Sequence, residues 1–399
     1  MNAAPTESLF SELRSLPRVY WVLVTGWFVN RFGTFVYPFL TLILSERGYP
    51  PEAVAWVLAA SGLGQFMSSF LGGYYSDRFG RRSTLVIGSF GHAAAIFTLY
   101  FASTLPMIVA LMWLAGFASG FYQPASNALL ADIVPERLRL RAYSMQRLAI
   151  NAGFACGSSA AGFIMTISAF LLFAGDALTT VTFGVIAWLL LPIGVRATAK
   201  EATWAEAWRV LRRDRAFWSL FAATLLSSFV FIQFSSTFAL EVKARGLTMQ
   251  LFGWQLKPEQ VFGCILGWNG LMVALFELPL TRWMQRFDAR VVIRIGYLLL
   301  GGGFAMNAMQ GGVEIFFLAM TTFTIGEMLS QPMRAAYVAQ LAPTHMRGRY
   351  MGALAMGATL AAVIGPFISL PLHAHAPTAL WLGCGALGVL AAVVLRAKV

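Results

Sequence analysis

Two long apolar segments are joined by the stretch Gly73-Tyr74-Tyr75-Ser76-Asp77-Arg78-Phe79-Gly80-Arg81-Arg82. Its glycines permit a tight turn and a close approach of the two helices that flank it. Its carboxylate, Asp77, can accept hydrogen bonds from the N-terminal amides of a helix or from nearby arginines. The stretch is therefore predicted to be a short polar latch between two membrane-spanning helices.

The composition around this stretch excludes a water-soluble globule and an intrinsically disordered chain. The chain has 399 residues, of which 58% are hydrophobic and 12% charged, and its mean hydropathy is +0.69. Soluble proteins have roughly 45–50% apolar and about 25% charged residues. Because one span needs about 20 apolar residues with few charges, a protein with several membrane spans is expected.

Apolar blocks separated by charged or Pro/Gly-containing connections predict twelve membrane-spanning helices, six in each half of the chain. The first six are Val19–Leu44, Val54–Tyr75, Thr84–Ala102, Met107–Leu130, Leu148–Ile167 and Ala169–Leu191. The second six are Phe217–Leu240, Val261–Leu280, Val291–Met309, Glu314–Val338, Met351–Leu370 and Ala379–Leu395.

Basic residues are concentrated in the connections on one side of these helices, which predicts the orientation of the chain. This side carries Arg78, Arg81, Arg82, Arg137, Arg139, Arg141, Arg196, Lys200, Arg209, Arg212, Arg213, Arg215, Arg282, Arg286, Arg290, Arg347 and Arg349. The other side carries only Arg47, Lys243, Arg245 and Lys257. The positive-inside rule therefore predicts that both termini are cytoplasmic. The net charge of +12 is explained by this topology, and no contiguous basic patch indicates a nucleic-acid partner.

The two halves of the sequence repeat at an offset of 208 residues. This offset relates Gln123-Pro124 to Gln331-Pro332, Pro135 to Pro343, Arg139 to Arg347, Arg141 to Arg349, Gly157 to Gly365, Gly62 to Gly270 and Arg78-Phe79 to Arg286-Phe287. Internal repeats of this kind are typical of secondary transporters, whose substrate site lies between the halves. We expect an N-terminal six-helix bundle over residues 1–194 and a C-terminal one over residues 217–399. Residues 195–216 between them are expected to form an amphipathic helix on the inner leaflet, or else a plain solvated linker.

The quoted stretch resembles the signature loop of the major facilitator superfamily, G-x-x-x-D-R-x-G-R-R. The residues that carry the resemblance are Gly73, Asp77, Arg78, Gly80, Arg81 and Arg82. The resemblance implies an all-α membrane protein with twelve transmembrane helices in two pseudo-symmetric six-helix bundles around a central cavity, working by alternating access. The second-half copy, Gln285–Arg290, is degenerate, as is common in that superfamily.

Two further segments resemble the drug/proton antiporter branch of that superfamily, of the bacterial multidrug efflux type. The fifth helix has Gly153 and Gly157 in a G-x-x-x-G pattern, although Ser158 stands where the branch has a proline. In the tenth helix, Glu327 stands where such antiporters have a glutamate that takes part in proton coupling and cation recognition. The resemblance implies a bacterial inner-membrane protein, acting as a monomer, with the proton gradient as its driving force.

Charged and polar groups at membrane depth are the candidate functional residues, because a charge in a span is costly and usually faces a cavity or a partner. Glu327 is predicted to bind the proton or substrate, with Arg31 tuning its pKa or taking an anionic group in the same chamber. A permanent ion pair between the two is the alternative. Further hydrogen-bonding groups in the spans are Asn30, Tyr37, Gln123, Gln233 and Gln331.

Three other charged positions, Arg147, Glu277 and Asp176, receive different interpretations. Arg147 on the fifth helix and Glu277 on the eighth are predicted to pair across the halves, closing the cytoplasmic gate when the cavity opens outward. A glutamate that snorkels to the interface is the alternative for Glu277. Asp176 on the sixth helix is expected to be a structural cap, and His92 stands alone in its helix.

No catalytic, metal or cofactor motif is found. The chain has no Gly-Lys dipeptide and therefore no P-loop, and neither G-x-S-x-G nor H-E-x-x-H occurs. His373 and His375 form an H-x-H pattern without a third ligand nearby, so no metal site is expected. The prediction is a secondary transporter without cofactors, most simply a proton-coupled exporter of lipophilic or cationic drugs. A proton-coupled permease for a metabolite, such as an organic anion or small peptide, is the alternative, and a membrane-embedded enzyme or sensor is disfavoured.

Overall fold

The computed structural model describes residues 16–135, 138–192, 204–343 and 346–395. The helices of the first half are α1 (Arg18–Phe32), α2 (Val36–Glu46), α3 (Pro51–Phe79), α4 (Arg81–Phe101), α5 (Leu105–Ile133), α6 (Arg139–Ile167) and α7 (Ala169–Leu190). A short helix, α8 (Trp204–Leu211), precedes the second half. The second half has α9 (Arg215–Ile232), α10 (Phe238–Ala244), α11 (Pro258–Met284), α12 (Ala289–Ala305), α13 (Val313–Leu341), α14 (Arg347–His375) and α15 (Pro377–Val394). A 3₁₀ turn over Met306–Ala308 follows α12, and the strands β1 (Met249–Leu251) and β2 (Trp254–Leu256) form an antiparallel hairpin.

Within the described residues, eleven segments are long and apolar enough to cross a membrane. One of them runs from Arg18 to Glu46 and so combines α1 with α2. The predicted second helix is present as α3, which has 29 residues but is not among the eleven. The prediction of an all-α membrane protein is confirmed, with the hairpin as a small addition in a connection.

Two spans that the sequence predicts as continuous are broken, the first near its middle and the seventh near its end. The first span is interrupted at residues 33–35, between α1 and α2, and the seventh at residues 233–237, between α9 and α10. At the second break, the hydroxyls of Ser236 and Thr237 donate to the Gln233 side-chain oxygen. Such local side-chain hydrogen bonds compete with the regular backbone hydrogen bonds of an α-helix. Apolar periodicity could not reveal either break, because the residues on both sides are equally apolar.

The ends of the helices define two faces of the molecule. The arginine-rich face carries the α3–α4, α5–α6 and α11–α12 connections, and there Arg82 donates to the Leu191 carbonyl oxygen at the end of α7 (3.2 Å). The hairpin face carries β1, β2 and the α2–α3 connection, where the Tyr49 hydroxyl donates to the Ser103 carbonyl oxygen (3.0 Å). The positive charge predicted to lie on one side of the membrane therefore lies at one end of the bundle.

Small residues bring the two halves into close contact along α6 and α11. A Cβ added to Gly263 would lie 2.7 Å from the backbone oxygen of Ser158, and one added to Gly270 would lie 2.8 Å from the Ala155 Cβ. The predicted glycines of the fifth helix face a different neighbour. Cβ atoms at Gly153 and Gly157 would meet the backbone oxygens of Phe28 and Phe32 in α1, at 2.6 and 2.0 Å. These two glycines therefore let α6 lie against α1 within the first half.

The linker between the halves is described only in part. Residues 193–203 of the predicted amphipathic helix lie outside the described residues, and the rest includes α8. Leu211 at the end of α8 is buried, whereas Trp208 is exposed and contacts Trp218 edge-on. Asp214 then accepts from the Phe217 amide (3.0 Å) and caps α9. The division at residues 194 and 217 stays a prediction.

Candidate functional site

Glu327 lies at the midpoint of α13 and is held by two amide side chains. Asn269 of α11 donates from Nδ2 to Glu327 Oε2 (3.0 Å), and Gln331, one turn along α13, donates from Nε2 to Glu327 Oε1 (3.1 Å). Asn269 also donates to the Thr324 hydroxyl (2.9 Å). Asn269 was not predicted from the sequence, although an amide in an otherwise apolar helix was a usable indication.

The hydrogen-bond donors around Glu327 are neutral, so they do not compensate the negative charge of its carboxylate. Among the described residues no ion pair of Glu327 is found, and Arg31 does not reach it. The alternative of a permanent Arg31–Glu327 ion pair is therefore wrong for this structure. A carboxylate with amide partners only keeps its charge uncompensated, and a proton or a cation can supply the missing positive charge.

Arg31 lies in a cavity of about 240 Å³ next to the break in the first span, lined by residues of the first half and by Ala362 of α14. Four predicted residues line this cavity, namely Asn30, Arg31, Tyr37 and Gln123. The Arg31 guanidinium lies 5.6 Å from the centre of the Trp27 ring, and its Nε is buried without a hydrogen-bond partner. Glu327 does not line this cavity. The expectation that Arg31 and Glu327 share one chamber is wrong for this structure.

Three further residues of this cavity were not recognised as a group from the sequence. His92 of α4, Tyr122 of α5 and Asp176 of α7 line it together with Arg31. The Nδ1 of His92 lies 3.0 Å from the Ala115 carbonyl oxygen. These residues are far apart in the sequence, and only the packing of α4, α5 and α7 brings them together.

Asp176 is buried and caps the second part of the broken first span. Its Oδ2 accepts from the amides of Phe35 and Val36, each at 3.1 Å. The expectation that Asp176 is a structural cap is confirmed, and the structure adds that it also lines the cavity. Gln233, by contrast, is fully buried at the other break, where its Nε2 donates to the Phe229 carbonyl oxygen (2.8 Å). The described contacts of Gln233 all run to its own segment.

Arg147 and Glu277 form the predicted ion pair between the halves, on the side of Glu327 that faces the arginine-rich end. The Glu277 side chain is 9% exposed and that of Arg147 is 48% exposed. Both line a cavity of about 250 Å³ that also includes Tyr143, Asn151 and Pro332. The pair is present, and its role as a gate stays a prediction.

The halves also touch at the hairpin face. Phe39 of α2 meets Phe262 of α11 edge-on (5.0 Å between ring centres), and Lys243 of α10 forms an ion pair with Glu46 of α2. Partial burial opposes the charge on Lys243, but Glu46 and the nearby Glu259 outweigh it and raise the pKa of the ammonium. The Arg147–Glu277 pair therefore coexists with contact at the hairpin face. That the pair closes the cytoplasmic gate when the cavity opens outward stays a prediction.

The signature stretch, Gly73–Arg82, joins α3 to α4 at the arginine-rich face of the first half. Gly80 joins α3 to α4 with φ +89°, a left-handed conformation that favours glycine. Arg81 pairs with Asp132 (2.8 Å), and the Arg78 guanidinium lies 5.7 Å from the centre of the Phe79 ring. The placements of Gly73 and of the Asp77 side chain lie outside what the structure describes, so the bonds expected of Asp77 stay a prediction.

Across the parts of the chain that the structure describes, no group of three or more His, Cys, Asp or Glu side chains is placed to hold a metal ion. His373 lies against Glu241 (Nε2 to Oε2, 2.8 Å), and the Arg245 Nε donates to Glu241 Oε1 (2.6 Å). This buried cluster joins α10 to α14 at the hairpin face.

Comparison with known families and proteins gives a consistent result. The model of the Major Facilitator Superfamily matches residues 22–258 and 255–398. A Na(+), Li(+), K(+)/H(+) antiporter of Planococcus maritimus is 28% identical over 91% of this chain and 89% of its own. Multidrug resistance protein 1 of Bacillus subtilis is 26% identical over 87% of each chain, and multidrug resistance protein MdtH of Escherichia coli is 24% identical over 96% of this chain and 94% of its own.

Solved structures confirm the fold. A single-residue mutant of the nucleoside transporter NupG superposes with a TM-score of 0.81 at 13% identity, covering 95% of this chain and 99% of that one. A POT family transporter in complex with 5-aminolevulinic acid superposes with a TM-score of 0.79 at 17% identity, covering 95% of each chain. The predicted two-bundle fold is confirmed, and at these identities nothing further follows about the substrate.

Proposed function

The chain belongs to the major facilitator superfamily, and within it we propose that this protein is a proton-coupled exporter of lipophilic or cationic drugs. As a member of that family it is a multi-pass membrane protein and a secondary transporter of small molecules, not an enzyme. The proposal concerns what it carries and which ion drives it.

The amide-only surroundings of Glu327 carry the proposal. Asn269 and Gln331 orient both carboxylate oxygens without neutralising them. A charge at this depth costs several kcal/mol unless a counter-charge or a proton removes it. A proton and a cationic substrate would compete for the same carboxylate, and this competition couples export of one to import of the other.

The relatives support exchange against protons, though only as names of other proteins. Two are multidrug resistance proteins and one is an antiporter of monovalent cations against protons. Drugs and monovalent cations are the species that these names give. Both agree with a single membrane-embedded carboxylate as the recognition group.

We place the arginine-rich face in the cytoplasm, with both termini on that side and the protein in a bacterial inner membrane. The distribution of basic residues supports this orientation. The hairpin face then faces outward. The contacts of Phe39 with Phe262 and of Glu46 with Lys243 would close the outer side, and the Arg147–Glu277 pair would help to close the inner side.

One observation favours the second candidate, a proton-coupled permease for a metabolite such as an organic anion or small peptide. The buried Nε of Arg31 has no hydrogen-bond partner, although it lies in a cavity with polar walls. An anionic group of a substrate would satisfy it. In this alternative Arg31 binds the substrate and Glu327 carries only the proton.

The proposal is tested by expression in a pump-deficient host and by transport in proteoliposomes with an imposed proton gradient. Wild type should raise tolerance to lipophilic cations and move them against their gradient, and Glu327→Gln should abolish both. Glu314→Gln is the matched control, because Glu314 lies on the same helix but is exposed near its end, where it accepts from the Gly312 amide. Unchanged tolerance with wild type, together with uptake of organic anions that Arg31→Gln abolishes, would favour the permease.

A further inference from the structure

Asp176 connects the cavity around Arg31 to the contacts Phe39–Phe262 and Glu46–Lys243, which together form the outer closure. The residue is 4% exposed. Its Oδ2 accepts from the Phe35 and Val36 amides, at the start of α2. The same side chain lines the cavity that contains Arg31. The Asp176 side chain that caps α2 therefore also forms part of the cavity wall.

The segment that Asp176 holds is the part of the first half that meets the second half at the hairpin face. Phe39, one turn into α2, contacts Phe262, and Glu46 at its end pairs with Lys243. The break at residues 33–35 separates α2 from α1, so α2 can change its direction without moving the rest of the span. Loss of the cap would be transmitted directly to the outer closure.

The corresponding break in the second half is held differently. There the Gln233 side chain accepts from the hydroxyls of Ser236 and Thr237, and all three groups are neutral. The residue 208 positions after Asp176 is Cys384, which is fully buried. The second break is thus held without a titratable group, whereas the first is held by a carboxyl group that can change its charge.

The surroundings of Asp176 allow it to change charge. The charged and titratable groups that face it or share its cavity are Arg31 of α1, Tyr37 of α2, His92 of α4 and Tyr122 of α5. On α7 itself its neighbours are the neutral Thr179 and Thr180. Arg31 and the amides of α2 favour the carboxylate, and burial favours the neutral acid.

We propose that Asp176 is a second proton-binding group, and that its protonation weakens the cap of α2 and so opens the outer closure. A charged carboxylate makes stronger hydrogen bonds to helix N-terminal amides than a neutral acid does. Protonation would favour the outward-open arrangement, and loss of the proton would restore the closed one. This inference rests on the proposed function only for the proton as driving ion, since the coupling of Asp176 to α2 is independent of Glu327.

The test measures the distance across the hairpin face by double electron–electron resonance. Spin labels are placed at Ser103 in the first half and Gln250 in the hairpin, both exposed, with Cys156 and Cys264 replaced by alanine. In wild type, acidification should raise the population with the longer distance by roughly tenfold. Asp176→Asn should show the longer distance at every pH.

Two matched variants make the outcome decisive. Asp288→Asn removes a carboxylate that caps α12 at the arginine-rich face, and it should leave the wild-type response unchanged. Glu327→Gln should also keep the response, so failure of drug export would not be confused with failure of this inference. A wild-type distance that does not change with pH would overturn the proposal without any variant. A wild-type pH response in Asp176→Asn would overturn it as well.

Discussion

Replacing Gly157 by alanine should force α6 away from α1 at the break in the first span. An ideal Cβ on Gly157 would lie 2.0 Å from the Phe32 backbone oxygen and 2.7 Å from its carbonyl carbon. Ordinary contacts of this kind begin at 3.4 Å, so the two backbones must separate by 1.4 Å, the difference between 3.4 and 2.0 Å. Both atoms belong to the backbone, and no change of side-chain rotamer can relieve the contact.

The size of the effect follows from this geometry. Overpacking typically costs 1–3 kcal/mol, and a clash between two helix backbones belongs at the upper end, at about 3 kcal/mol. For a cooperative unit of about 150–250 residues, one kcal/mol corresponds to about 2–4 °C in the midpoint of thermal unfolding. One six-helix half should therefore lose about 6–12 °C.

The assay is thermal unfolding of the purified protein in detergent, with Gly383→Ala as the control. Gly383 lies inside α15, and a Cβ there would have no atom within 4 Å. Alanine is favoured over glycine in a helix by up to about 1 kcal/mol, so this variant should be unchanged or slightly more stable. If Gly157→Ala unfolds at the same temperature as Gly383→Ala, α6 and α1 are not as close as described.

Three further predictions concern the contacts between the halves and the site. Arg147→Ala or Glu277→Ala should weaken closure at the arginine-rich face by about 1–2 kcal/mol, since one partner is half-exposed. Distance measurements across that face should show this weakening in each single variant and recovery when the two charges are exchanged. No change in either single variant would refute the role of the pair as a gate. Lys243→Gln should shift the outer closure by at most about 1 kcal/mol, and added salt should weaken the wild-type contact similarly. Because the pKa of Lys243 is raised, its charge persists up to and beyond the ordinary value of 10.5, so the lysine does not weaken this contact near neutral pH; an effect of several kcal/mol would contradict this assignment. Asn269→Leu should lower transport at least about tenfold, because a hydrogen bond to a charged group is worth about 1.5–3 kcal/mol; transport equal to wild type would show that the Asn269 contact is not used.

The repeat and the loop chemistry made the overall architecture predictable from the sequence. The residues related by the offset of 208 and the signature residues of the stretch Gly73–Arg82 are largely glycines, prolines and arginines. The requirements of local turns and of the membrane surface determine these residue types, so they can be read from the sequence. The pairing of Arg147 with Glu277 was also predictable, because both lie at similar depths and the resemblance to the superfamily implies that their helices face each other across the halves.

The interior of the site was less predictable for a physical reason. Asn269 reaches Glu327 only through the packing of α11 against α13, and His92 shares a cavity with Arg31 only through the arrangement of α1 and α4. The breaks at residues 33–35 and 233–237 depend on side-chain hydrogen bonds within apolar sequence. Hydropathy cannot distinguish a broken span from a continuous one. The assumption that Arg31 and Glu327 share a chamber failed because depth in the membrane does not determine the direction in which a side chain points.

Proton release on substrate binding tests the central claim, that Glu327 binds either a proton or a cationic substrate, most directly. The lipophilic cation tetraphenylphosphonium is added to purified protein in weakly buffered detergent solution, and the pH change and the bound probe are recorded together. Wild type and Glu314→Gln should release protons in proportion to the probe that binds, and Glu327→Gln should release none. Binding of the probe to wild type without proton release, or an undiminished release from Glu327→Gln, would contradict the claim.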